Sequence, residues 1–147
     1  MTNIKIFYVY VIHLSKDVLI KDAPDKGRWT SKKFVKKNPQ YDLEAKIKPC
    51  VYIGYSSVTP EERYIQHKER IPKKKLSKTG EPVRNWNPYA AEFGIRLEKK
   101  KKPFKKVHKS MYAAKKHEQN LANYYRKKGY AVWGGQKENL KKNKDSK

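Results

Sequence analysis

Ile4-Lys5-Ile6-Phe7-Tyr8-Val9-Tyr10-Val11-Ile12 decides the fold of this chain. Ile4, Ile6, Tyr8, Tyr10 and Ile12 fall on one side of an extended segment, and Phe7, Val9 and Val11 on the other. A strand that is apolar on both faces is covered on both faces, so this stretch is predicted to be a central strand. Side chains alternate along a strand, so Tyr8 and Tyr10 point the same way. Val51-Tyr52-Ile53-Gly54-Tyr55 reads as a second strand, most simply antiparallel to the first.

Between them, residues 15 to 49 form an excursion that carries Asp22-Ala23-Pro24-Asp25-Lys26-Gly27, Arg28-Trp29 and a lysine-rich run to Pro49. It is too long for a hairpin loop, so local structure is expected within it. After the second strand, Thr59-Pro60-Glu61-Glu62 is a helix start: Thr59 caps, Pro60 suits the first helical position and Glu62 completes a capping box. Pro72 ends that helix, and residues 73 to 84 read as a basic, turn-like linker. Asn87-Pro88 opens another helix, expected to run through Ala90 and Ala91 to about Leu97. Phe104 to Val107 is expected to add a short third strand. Ser110 caps the longest helix, which runs to about Lys128 and stops at Gly129. Its apolar stripe is Met111, Ala114, Leu121 and Tyr125, with Glu118 in the middle. A carboxylate there is costly unless a cation or hydrogen-bond donors meet it. Tyr130 to Trp133 reads as extended, before Gly134-Gly135. The last residues, 137 to 147, have the composition of a disordered basic tail.

A chain of 147 residues supports one domain with a modest core. Its 37 Lys and Arg against 14 acidic residues give a formal net charge of +23. Such self-repulsion is naturally relieved by a polyanion. Nucleic acid is the first candidate, and an anionic membrane surface a distant second. No segment is long and apolar enough to span a bilayer, so no membrane is expected. The opening apolar stretch is tyrosine-rich and no small-residue cleavage site follows it, so it reads as a strand and not a signal peptide. Cys50, the single cysteine, excludes an intramolecular disulfide and a cysteine-based zinc site. A reducing, cytoplasmic location is the expectation.

Two tyrosine motifs, Tyr8-Val9-Tyr10 and Tyr52-Ile53-Gly54, are followed by Arg63 and His67 and, much later, by Glu118. Arg63 and His67 share one helix face at i and i+4. The order and local spacing resemble the GIY-YIG endonuclease family, over two blocks from 7 to 14 and from 50 to 135. Tyr8 stands where the family has the glycine of its first triplet, and Tyr10 keeps the tyrosine. Tyr52-Ile53-Gly54 matches the second triplet. Arg63 and His67 match the family's first helix, and Glu118 its metal-binding glutamate. Two features depart from the family. The excursion of residues 15 to 49 replaces a short hairpin, as in some restriction-type members. Trp133-Gly134-Gly135 stand where the family tends to carry an asparagine, with Asn139 a poor substitute.

The resemblance implies a GIY-YIG-like α+β fold: a small, mainly antiparallel, roughly three-stranded sheet flanked by helices. It would occupy residues 1 to 136 as a single nuclease domain with an insertion at 15 to 49. The implied activity is metal-dependent hydrolysis of phosphodiester bonds, in DNA ahead of RNA. Tyr10, Tyr52, Arg63, His67 and Glu118 would be the catalytic residues. Glu118 would hold one divalent cation, Mg²⁺ or Mn²⁺, since magnesium takes oxygen ligands and keeps several waters. Tyr10, relayed through Tyr52 or His67, would position and deprotonate the attacking water. A homo-oligomer on DNA is the expected arrangement for cutting two strands.

Blander roles stand beside these. Tyr10 and Tyr52 suit a strand core on propensity alone. Arg63 and His67 suit an exposed helix. Composition fits equally well a non-catalytic nucleic-acid-binding protein of ribosomal or RNA-binding type with a decayed site. For contact with nucleic acid the candidates are Trp29, Lys32, Lys33, Arg84, Trp86 and the run Lys99, Lys100, Lys101, Lys102. Trp29 and Trp86 sit in basic loops, where they either stack on bases or anchor their loops to the core. The lysine run suits a phosphate-contacting face.

Overall fold

The computed structural model describes residues 5–74, 76–81, 83–99 and 107–135. The first strand, β1 (Phe7–Leu14), is the centre of a five-stranded sheet. On one side it pairs antiparallel with β2 (Cys50–Ser56), with Tyr10 opposite Gly54 and Ile12 opposite Tyr52. On its other side it pairs antiparallel with β3 (Gly94–Leu97) near its end and with β4 (Val107–His108) near its start. The fifth strand, β5 (Ala131–Trp133), lies parallel to β2, with Tyr52 opposite Trp133. The fold is α+β, but the sheet is mixed and has five strands where about three, mainly antiparallel, were expected. β3 and β5 are four and three residues long, too short to carry a readable alternation.

β1 divides the core, as its double apolar pattern requires. Val9 and Val11 face the long helix α4 (Met111–Lys127), packing with Val51, Ile53, Ala114, Leu121, Ala122, Tyr125 and Val132. Tyr10, Ile12 and Leu14 face the other way, toward Tyr89, Ala90 and Phe93 of α3 (Pro88–Phe93) and toward the 15–49 excursion. Ser110 caps α4 by accepting the Ala113 N–H at 3.1 Å, and Gly129 beyond it takes φ +87°. Met111, expected in the apolar stripe, is half-exposed: it sits on the first turn of α4. Among the described residues, no helix is long and apolar enough to cross a membrane.

Helix α2 (Pro60–Lys68) starts as its sequence requires, with Thr59 Oγ1 accepting the Glu62 N–H at 3.3 Å. It ends before Pro72. Helix α3 does not run to Leu97. It stops at Phe93, and Gly94 turns the chain into β3. A Cβ at Gly94 would sit 2.4 Å from the Ala90 carbonyl oxygen, so only glycine makes this turn. Lys68 then caps the end of α3, donating to the carbonyls of Ala91 at 3.0 Å and Gly94 at 2.8 Å.

The excursion does have structure of its own. It holds a 3₁₀ turn at Lys16–Leu19 and helix α1 (Ser31–Lys36), and it contributes Val18, Leu19, Phe34 and Tyr41 to the core. Asn38, buried, closes the outer edge of β5. Its Oδ1 accepts the Val132 N–H at 2.6 Å, and its Nδ2 donates to the Phe34 carbonyl at 2.8 Å. An unpaired buried N–H costs about 1–3 kcal/mol. Asn38→Leu keeps the volume and removes both bonds, so a loss of that order in stability is expected, read as a lower Tm. An unchanged Tm would mean that the excursion docks on β5 through its apolar contacts alone. The Lys137–Lys147 tail and Phe104 lie outside the described residues.

Candidate active site

The register of β1 and β2 puts Tyr10 and Tyr52 on one face of the sheet, with ring centroids 6.1 Å apart. The face is closed by α2, whose His67 is buried and lies 5.3 Å, centroid to centroid, from Tyr52. His67 Nε2 and the Tyr10 hydroxyl are 2.9 Å apart. At the opposite side of the ring, Nδ1 accepts the Asn87 backbone N–H at 2.8 Å. That bond decides the tautomer: Nδ1 carries no proton, so neutral His67 has its proton on Nε2 and donates to Tyr10. Burial, with Arg63 next to it, lowers the His67 pKa to about 3. At neutral pH His67 is therefore a fixed donor to Tyr10, and it cannot take a proton from it. A relay through His67 as base does not fit this geometry.

Arg63 is one helical turn before His67 on α2. Its Nη1 is held by Gln66 Oε1 at 2.9 Å and by the Asn85 carbonyl. Thus aimed, the guanidinium acts on Tyr10, Tyr52 and His67 together. Burial pushes the Tyr10 phenol up to about 12, against the pull of the Arg63 charge and of hydrogen bonds from Tyr52 and Arg63. Tyr52 is raised well above its ordinary value, again by burial first. Both phenols are protonated at neutral pH, and added positive charge is what would lower them.

Gly54 makes this packing possible. A Cβ there would lie 2.6 Å from the Tyr10 hydroxyl oxygen and 3.1 Å from the Tyr52 ring. Tyr10 lies across the backbone of the residue opposite it, so the glycine of Tyr52-Ile53-Gly54 is a steric requirement. Gly54→Ala should push Tyr10 off His67, lowering Tm and any activity that depends on Tyr10. A variant that melts and acts as wild type would mean that the ring has room to move.

Glu118 stands on α4, beside the turn where β5 ends. Gly134 and Gly135 turn the chain there, with φ +114° and +56°. The Gly135 N–H donates to Glu118 Oε1 at 3.2 Å, and Arg126, two turns along α4, donates to the carbonyls of Gly134 at 2.9 Å and Gly135 at 3.3 Å. A Cβ on Gly134 would meet the Ile53 carbonyl, and one on Gly135 the Ala122 Cβ at 2.6 Å. The two glycines therefore bring a backbone N–H to Glu118 where an asparagine was sought in the sequence. Burial raises the Glu118 pKa to about 7, with the Gly135 N–H and Lys115 opposing. Its charge acts on both Tyr10 and Tyr52.

Tyr10, Tyr52 and His67 thus pack together with Arg63 on the same helix as His67, while Glu118 stands on α4 and is held by the Gly135 N–H. The lone carboxylate fits a hard, oxygen-seeking cation that keeps most of its waters. Among the described residues no group of three or more His, Cys, Asp or Glu is gathered that could hold a metal ion. An open cavity of about 400 Å³ adjoins the cluster, its lining including Tyr8, Tyr10, Glu61, Leu97, Glu98 and Lys99.

The nucleic-acid candidates divide. Trp29 packs edge-on against Tyr89 and Trp133, at 5.3 and 6.0 Å, and Trp86 donates its indole N–H to Asp25 Oδ2 at 2.7 Å. Both anchor their loops. Lys33 and Arg84 lie over the Trp29 ring, and Arg84 also donates to the Lys26 carbonyl. Lys32, Lys33, Arg84 and Lys99 are exposed. Lys100, Lys101 and Lys102 lie outside the described residues. Three contributions to the site were not read from the sequence: Asn87, Gly54 and Arg126. Gly54 left a signal as part of the second triplet and Asn87 only as a helix start.

Comparison with family models, with curated proteins and with solved structures finds no match for this chain.

Proposed function

We propose that this chain is a metal-dependent endonuclease of GIY-YIG type that hydrolyses phosphodiester bonds, in DNA ahead of RNA. One observation carries the reading: the Tyr10 and Tyr52 rings pack with the neutral His67 imidazole, the Tyr10 hydroxyl lies 2.9 Å from His67 Nε2, and Arg63 stands one helical turn from His67. In this proposal Glu118 would hold Mg²⁺ or Mn²⁺, which when bound supplies positive charge to the scissile phosphate and the leaving oxygen.

The chain's own residues do the rest. Tyr10 would orient the attacking water and, as the phenolate left once its own proton has gone to solvent, would take up the water's proton. Three groups favour the phenolate: the Nε2–H of His67, the hydroxyl of Tyr52 and the charge of Arg63. His67 is thereby a positioning residue. Arg63 faces the extra negative charge that develops on the phosphoryl oxygens. The exposed Lys32, Lys33, Arg84 and Lys99 contribute phosphate contacts, whose strength falls with salt.

A second reading is favoured by the burial of Tyr10, which is 1% exposed with its pKa near 12. It makes the protein a non-catalytic nucleic-acid binder with a decayed site. Plasmid DNA incubated with the purified protein in Mg²⁺, and in parallel with EDTA, separates the two. Nicked or linear product only with the metal supports the nuclease; retarded but intact plasmid in both supports the binder.

A further inference from the structure

A second hollow continues from the cavity beside Tyr10. It is a groove of about 520 Å³ between α2 and β3, and it shares Glu61, Leu97 and Lys99 with that cavity. Its far walls are Tyr64 and Ile65 of α2 and Ile95 of β3. Ile95 is 59% exposed and Ile65 48% exposed, and β3 is an edge of the sheet. Both hollows fall within the about 300–1,000 Å³ of small-ligand sites. Apolar side chains left open on a sheet edge, beside an aromatic ring, invite a flat apolar partner.

Charge narrows the occupant. Glu61 lines both hollows, so a phosphate seated against its carboxylate would be repelled, while Glu98, in the first, is paired with His13 Nε2 at 2.7 Å. A neutral base would not be, and its amino groups suit a carboxylate acceptor. Arg96 and Lys99, which also line the groove and are exposed, suit the phosphates on either side of such a base. A second copy of this chain is disfavoured, because its net charge of +23 would face an equal charge. We propose that the groove between α2 and β3 holds one unpaired nucleobase of a nucleic-acid strand whose backbone passes the cavity at Tyr10. The inference rests on the nucleic-acid half of the function proposed above and not on cleavage. It makes strands with an unpaired base the preferred ligand class.

The test is binding in EDTA, where no metal-dependent cleavage intervenes. Fluorescence anisotropy would compare a labelled duplex, the same duplex with a one-nucleotide bulge, and that bulge as an abasic analogue. One base stack corresponds to a preference of about 5- to 150-fold. The bulged duplex should bind within that span more tightly than the perfect one, and the abasic bulge should lose the gain. Ile95→Ser, at an exposed position that does not endanger folding, should remove the preference and leave perfect-duplex affinity within about twofold, since it removes no phosphate contact. Equal binding of bulged and perfect duplex, an abasic bulge as tight as the intact one, or an unaltered preference in Ile95→Ser would each overturn the proposal. So would a dimer of the free protein in sedimentation that Ile95→Ser dissociates, because the groove would then be a self-interface. If the base preference holds and plasmid is never cut, the nuclease reading fails and the groove stands.

Discussion

Glu118→Gln should remove metal-dependent cleavage, while DNA binding stays intact or tightens slightly. The variant keeps the shape and an amide oxygen for the Gly135 N–H, but loses the negative charge a divalent cation needs. It also has a signature without turnover. Burial raises the Glu118 pKa to about 7, so the folded protein favours its neutral form. A carboxylic acid raised in this way stabilises fully below its unfolded pKa, about 4.3. That contribution is lost as pH rises through about 7. Without divalent ions the wild type should therefore lose Tm between pH 5 and pH 8 relative to Glu118→Gln. Added Mg²⁺ at pH 8 should restore the wild type and leave the variant unmoved, since only the ionised carboxylate is a ligand. Parallel melting curves with pH, or cleavage at wild-type rate by the Gln variant, would remove Glu118 from the site.

Arg63→Lys should cost on the order of 10²-fold in the rate of the chemical step, the scale of losing one transition-state donor. The guanidinium is a planar fork that is held by Gln66 and Asn85 while its charge acts on Tyr10. An ammonium group keeps the charge but cannot make that set of directions at once. The loss should appear in single-turnover rates at saturating protein, with DNA affinity nearly unchanged. Unchanged turnover would mean that Arg63 serves only to bind Asn85 and Gln66.

The sequence carried the framework wherever a signal repeats or is punctuated. β1 and β2 were readable because apolar and aromatic residues run through them almost without a break, and α2 and α4 because Thr59, Pro60, Ser110 and Gly129 mark their ends. β3 was not, since four residues hold too little pattern, and Tyr130 to Trp133 was readable as extended but not as the neighbour of β2. The overrun of α3 has one cause: Gly94 ends the helix for want of space beside Ala90, which sequence does not display. The parallel pairing of β5 with β2 depends on α4 crossing the sheet, and it is completed by Asn38, far away in the chain. The five candidate site residues were named from a family resemblance, and the fold packs Tyr10, Tyr52 and His67 together with Arg63 one helical turn away. Their states were not legible. That His67 donates to Tyr10 follows from a backbone N–H at Asn87. That Glu118 meets a donor follows from a glycine turn tied by Arg126.

The central claim is that the cluster around Tyr10 cuts a phosphodiester bond with a cation held at Glu118. Single-turnover cleavage of an end-labelled DNA duplex, with wild type, Tyr10→Phe and Glu118→Gln side by side in Mg²⁺ or Mn²⁺ and again in EDTA, tests it most directly. The expected result is product from the wild type with metal alone, and none from either variant, although both bind the duplex and Tyr10→Phe melts near the wild type. Product that survives EDTA, or equal product from wild type and both variants, would contradict the claim, as would a wild type that binds the duplex and never cuts it.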